Sequence, residues 1–146
     1  MCKIVIGLLA AFLAGCGGQD MGISPDAGTQ STLDPLGNWT LTYMIAADSC
    51  GNPATNVAQT ITVVKTASGY GLVAGSYNAS GTMTCTASQC TLSAVLTGSG
   101  NGINSQLNDT LTLKSDGKIT GGGSGSASNG TQTCTGNFTV VGVLVR

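Results

Sequence analysis

The sequence predicts an all-β fold: an eight-stranded antiparallel up-and-down barrel, preceded by an export leader and a tether. Three observations predict it. Eight segments after residue 36 are rich in Thr, Val, Ile, Leu or aromatics, or alternate apolar and polar residues with period two. Turn residues separate them at short intervals, and Asp116-Gly117 and Asn129-Gly130 are the strongest hairpin signals. No segment beyond residue 16 reads as an amphipathic helix. Short connections favour antiparallel neighbours, since parallel strands need long crossovers. Closing such a sheet on itself removes its exposed edges. A two-sheet β-sandwich is the alternative.

The leader comes first. Met1 and one positive charge at Lys3 precede an apolar run over residues 4–15. That run is too short to span a bilayer but suits the core of a signal peptide. It ends on Leu13-Ala14-Gly15-Cys16. This stretch resembles the lipobox of bacterial lipoproteins. The resemblance implies a diacylglyceryl group on the Cys16 sulfur, cleavage before Cys16, and acylation of the new amine. Residues 1–15 are then the signal peptide, and the protein is held in the cell envelope by its N-terminal lipid. Gly17 follows the lipid cysteine. In lipoproteins of enteric bacteria an Asp there favours inner-membrane retention, so the resemblance implies the outer membrane.

Residues 16–35 form the expected lipidated cysteine and flexible linker. They contain Gly, Ser, Asp, Gln and two prolines without apolar period. A coil of that length has ends on the order of 20–25 Å apart.

The barrel domain is expected over 36–146. Its strands are read at 39–46, 57–66, 70–77, 81–86, 89–97, 105–115, 118–127 and 132–145. Alternation gives the inner face. Trp39, Leu41, Tyr43 and Ile45 share one side of the first strand, and Ile61 and Val63 one side of the second. Cys90, Leu92, Ala94 and Leu96 line the fifth strand, and Leu107, Leu111 and Leu113 the sixth. The last strand is apolar on both sides, with Phe138, Val140 and Leu144 opposite Val141, Val143 and Val145. The expected barrel lining is therefore Trp39, Leu41, Tyr43, Leu92, Leu111 and Phe138.

Four cysteines remain once Cys2 and Cys16 are set aside: Cys50, Cys85, Cys90 and Cys134. An even number in an exported chain reads as two disulfides with three possible connectivities. A zinc site would want paired Cys-x2-4-Cys motifs, which the spacing does not supply. Barrel topology selects among the connectivities. Cys50 follows the first strand and Cys134 opens the last, so closure puts both at one end. Cys85 and Cys90 flank the Ala87-Ser88 turn at the other end, directly across a non-hydrogen-bonded pair. The expected bonds are Cys50–Cys134 and Cys85–Cys90.

Gly37-Asn38-Trp39 resembles the first-strand Gly-x-Trp motif of lipocalins and related calycin barrels. The resemblance implies that Trp39 plugs one barrel end and that Arg146, at the end of the last strand, packs across it as a cation over an indole. It also implies a small apolar ligand inside. The motif is three residues long, the Thr-Asp-Tyr loop motif is missing, and so is the helix beside the barrel. Avidins share the short meander but line their biotin site with several Trp, and this chain has one.

Charge excludes several functions. Only 8% of residues are charged, with six Asp, four Lys, one Arg, no Glu and no His. Such sparse cations do not make a nucleic-acid groove. Acid–base catalysis ordinarily uses His or paired carboxylates. Asp109 is singular because it shares the Leu107–Leu111 face. It reads either as an inward carboxylate in a pocket or, more simply, as a group near a strand end with water or hydroxyl partners. Gly121-Gly122-Gly123-Ser124-Gly125 lacks the Lys-Ser/Thr ending of a phosphate loop and reads as glycines that let a barrel strand bend. No catalytic residue, metal ligand or cofactor is expected, and nothing sets an oligomeric state. The function expected is a non-enzymatic, membrane-tethered barrel binding a small apolar or amphipathic ligand. The alternative is a structural or protein-interaction module with a filled interior, acting through its outer face.

Overall fold

The computed structural model describes residues 33–146 and the main chain of Met21–Ile23. The signal peptide, Cys16 and the rest of the linker lie outside the described residues. Nine strands occur among the described residues: β1 (Met21–Ile23), β2 (Gly37–Ile45), β3 (Thr55–Thr66), β4 (Gly69–Val73), β5 (Asn78–Cys85), β6 (Gln89–Gly100), β7 (Ile103–Lys114), β8 (Lys118–Ser128) and β9 (Thr133–Val145). They form one sheet in the order β1-β4-β3-β2-β9-β8-β7-β6-β5, antiparallel throughout. Strands β2 to β9 are the eight expected ones and make a nearly closed up-and-down barrel, not a sandwich.

Closure rests on β2 and β9, the first and last strands of the barrel. They pair from Asn38↔Val145 to Ile45↔Phe138. The ladder brings Trp39 opposite Leu144 and Tyr43 opposite Val140. The barrel has two distinct ends. The Trp39 end holds the start of β2, the β3–β4, β5–β6 and β7–β8 turns, and the end of β9. The Cys50 end holds the loop after β2 and the β4–β5, β6–β7 and β8–β9 turns.

One strand was not expected. Met21–Ile23 falls in the stretch read as coil, yet it pairs with β4 from Met21↔Leu72 to Ile23↔Tyr70. Three residues carry too little period for a strand to be read from sequence, and the pairing is supplied by the free edge of β4. The third expected strand, 70–77, is cut short in the structure. Val73 ends β4, and Gly75 takes a positive φ of 60° in the turn before β5.

The core is the barrel interior. Alternate residues of β2, β3, β6 and β7 are buried as their period-two pattern requires. Trp39, Leu41, Tyr43, Ile61, Leu92, Leu96, Leu111 and Leu113 have no measurable exposure. Strand β8 contributes bulk only at its ends, through Ile119 and Ala127. Between them, a Cβ on Gly121 would overlap the Thr110 carbonyl oxygen, and one on Gly123 the Asn108 carbonyl oxygen. The glycines thus let β8 coil tightly against β7 while Leu107, Leu111 and Phe138 fill the space beside it.

Candidate functional site

The six expected lining residues are all interior: Trp39, Leu41, Tyr43, Leu92 and Leu111 at 0% exposure and Phe138 at 6%. Their chemistry divides along the barrel axis. Towards the Trp39 end the interior is apolar: Ile61 pairs with Trp39 in the ladder, and Val63, Leu72, Leu113 and Ile119 belong to the same core cluster. Towards the Cys50 end it carries polar groups.

The centre of that polar half is Tyr43 with Asp109. The Tyr43 hydroxyl donates to Asp109 Oδ2 at 2.7 Å, across 66 residues of sequence. The Phe138 ring lies 5.3 Å from the Tyr43 ring, tilted by 57°. Asp109 is 2% exposed and sits in the body of β7 between Ala94 and Gly123, two small residues that leave room for its carboxylate. The strand-end position expected for Asp109 is therefore corrected, while the hydroxyl partner is present. The carboxylate is held inside because only its face of β7 turns inward there. Burial pushes its pKa up to about 6, partly offset by the Tyr43 hydrogen bond. Burial and the neighbouring carboxylate drive the Tyr43 hydroxyl upward, so it stays a donor.

Asp109 Oδ1 and Gln59 Oε1 are buried without a hydrogen-bond partner among the described residues. Gln59 was not singled out from sequence. Its parity with Val57 and Ile61 was the available signal, and it pairs with Leu41 in the ladder. Tyr77 was also missed. Its half-buried ring lies over Gly98, and burial raises its hydroxyl, moderated by a hydrogen bond with Ser105.

Three surface clefts are lined by described residues. One at the Cys50 end, of about 470 Å³, is bounded by Ser76, Asn78, Thr97, Ser105 and Ser126. A second, of about 340 Å³, lies on the outer face of β7–β9 between Asn108, Ser124 and Asn137. A third, of about 320 Å³, lies at the Trp39 end between Leu33, Lys114, Leu144 and Arg146. Trp39, Tyr43, Leu92 and Leu111 line none of these three. The outer face also bears Val141, Val143 and Val145, each 46–49% exposed, along β9 beside Thr40 and Thr42.

The ends are fastened differently. At the Trp39 end, the indole Nε1 donates to the Pro35 carbonyl at 2.9 Å. Arg146 does not serve as the cation over the indole. Its Nη2 donates to the adjacent Asp34 carbonyl at 2.8 Å, and the cation–π contact among the described residues is Lys65 over Tyr70. An exposed backbone carbonyl is a better hydrogen-bond partner for a guanidinium than the face of a fully buried ring. Trp39 and Arg146 thus secure the same short segment, residues 34–35, over the barrel mouth.

At the Cys50 end, Asp48 organises the loop after β2. Its Oδ1 accepts from the Cys50 and Asn52 N–H groups, and its Oδ2 from the Asn52 amide at 2.6 Å. Burial acts to raise Asp48, but these donors outweigh it and hold the carboxyl below its ordinary value. Gly51, at φ 78°, completes the turn. Ser49 N–H donates to the Thr135 carbonyl, so the loop runs on beside β9 and delivers Cys50 to Cys134.

Both expected disulfides are present. Cys50–Cys134 joins the two closing strands across 84 residues with Cα atoms 5.4 Å apart. Cys85–Cys90 crosses the β5–β6 hairpin. Thr86 N–H donates to the Gln89 carbonyl at 2.8 Å, which puts the cysteines at the next, closer pair. No group of three or more metal-ligating side chains occurs among the described residues. Comparison with protein-family models, curated proteins and solved structures gave no match.

Proposed function

We propose that this protein is a bacterial envelope lipoprotein, anchored by lipid on Cys16, whose barrel is a non-enzymatic structural or interaction module. One observation carries the second half of this reading. The lining side chains are fully buried against one another, and even the glycines of β8 are covered by Leu107, Leu111 and Phe138. A lipocalin-like pocket for an apolar ligand needs an interior void of a few hundred cubic ångströms. The module then works through its surface, where the Val141–Val143–Val145 stripe is the apolar feature of the outer wall. Asp109 faces Tyr43 inside the wall, and among the described residues no second carboxylate or base is hydrogen-bonded to it for acid–base work.

The anchor half of the reading rests on Leu13-Ala14-Gly15-Cys16 and on the outer-membrane preference implied by Gly17. Native mass spectrometry of protein extracted from its own envelope tests both halves. The expected species is the chain from Cys16 with lipid and no second ligand. An unmodified Cys16 overturns the anchor. A retained apolar molecule overturns the filled barrel and restores the ligand-binding alternative. Val143→Asp should leave folding intact and reduce cross-linking to envelope components; unchanged cross-linking removes the stripe from the reading.

A further inference from the structure

The wall formed by β2 to β9 has a seam. Strands β4 and β5 are joined across it by the Ala74–Tyr77 bridge, and no ladder between them extends further. Strand β1 pairs with the open edge of β4 and lies beside β5 on its other side. A three-residue piece of the linker therefore occupies the gap in the barrel. We infer that the chain leading from the lipid anchor is itself part of the barrel wall, and that it holds the protein with its Cys50 end against the bilayer. This rests on the reading of Cys16 as the lipidated residue.

Chain direction sets the orientation. Strand β4 runs from the Trp39 end towards the turn at 74–77, and β1 runs antiparallel to it. The start of β1 thus points at the Cys50 end. Cys16 stands five residues before Met21. Fully extended, five residues reach about 17 Å. That leaves little chain for a reversal, and it ties the lipid closer to the barrel than a free linker would.

Charge fits the same arrangement. Lys65, Lys114, Lys118 and Arg146, with Asp34 and Asp116, all lie at the Trp39 end. The rim around the 74–77 turn is Ser76, Asn78, Thr97, Ser99 and Asn104, with no ionised side chain. Setting that rim against headgroups strips water from hydroxyls and amides, which exchange partners readily; the carboxylate at this end, Asp48, lies in the loop after β2, where the Cys50 and Asn52 N–H groups and the Asn52 amide already hold it. The opposing force is attraction of the cations to anionic lipid, about 1 kcal/mol for each one near the surface. Lys118 is already paired with Asp116 at 3.2 Å, which weakens that pull. The bilayer is the partner, and the cationic end faces away from it.

The test uses full-length protein purified with its lipid and placed in phosphatidylcholine vesicles carrying a headgroup quencher. Natural cysteines are engaged as disulfides or by lipid, so single dyes report from Ser76→Cys and Ser115→Cys. The expected result is loss of most fluorescence at position 76 and little loss at 115. Equal or reversed quenching overturns the orientation. Gly22→Cys with Gly71→Cys, which face each other in the β1–β4 register, should cross-link spontaneously. If that variant misfolds, amide exchange of Met21–Ile23 in the unaltered protein decides: slow exchange supports the seam strand and coil-like exchange overturns it. An intact mass without lipid on Cys16 defeats the anchor reading and the orientation together, while cross-linking still reports the seam separately.

Discussion

At the Trp39 end the barrel is shut by packing: a buried indole, a cap at residues 33–36, and hydrogen bonds from Trp39 and Arg146 to consecutive carbonyls. At the Cys50 end the interior turns polar, and the closing strands are joined by a covalent bond instead. The described cations all stand at the first end, and among the described residues the second has only Asp48 as an ionised group in its loops. The contrast teaches where each kind of closure is usable. An apolar plug works where large side chains converge. Where Tyr43 and Asp109 occupy the interior, a buried hydrogen bond replaces part of the apolar packing, and a cross-link between the β2 loop and β9 keeps the mouth together.

Breaking the cross-link should have the largest effect. Cys50→Ala with Cys134→Ala frees a loop of 84-residue separation and should lower unfolding free energy by about 4–5 kcal/mol in the chain-entropy account. Urea denaturation at neutral pH measures it. Next comes pH. The folded pKa of Asp109, about 6, lies above its ordinary 3.8, so its contribution is fully present below pH 3.8 and is lost as pH rises through 6. The barrel should lose about 2–3 kcal/mol between those limits, and Asp109→Asn should flatten that part of the profile. A profile that Asp109→Asn leaves unchanged would place the titration elsewhere.

Removing Cys85–Cys90 at the opposite end should cost about 2 kcal/mol, because its loop is short. If it costs as much as the other disulfide, the Trp39 end depends on covalent closure too, and the contrast fails. Trp39→Phe keeps a ring but orphans the Pro35 carbonyl, for an expected loss of about 1–2 kcal/mol. Arg146→Ala removes an exposed hydrogen bond and should cost about 0.5 kcal/mol. Thermal unfolding of the pair would rank the plug above its outer tie.

Much of this barrel is legible in the sequence. Period-two burial in β2, β6 and β7 and the Asp116-Gly117 turn encode their local structure directly, and antiparallel closure then implied both disulfides. What stayed hidden depends on surfaces made by the rest of the fold. Met21–Ile23 becomes a strand because β4 offers it an edge, which no local pattern announces. Arg146 turns to the Asp34 carbonyl because the indole is sealed beneath residues 34–35. The depth of Asp109 follows from Ala94 and Gly123 on its neighbouring strands, distant in sequence and small. The glycine run in β8 reads from sequence as bend-permitting, and its geometry adds that neighbouring carbonyls occupy the room a methyl group would need.

The unequal spans of the two cross-links also impose an order in time. Cys85 and Cys90 are 5 residues apart and meet as soon as one hairpin forms, whereas Cys50 and Cys134 meet only after every intervening strand has found its neighbour. Acid-trapped refolding samples should therefore show the local bond accumulating first and the distant one last. An oxidised Cys50–Cys134 pair would then be a chemical record that the whole circuit of strands had been completed.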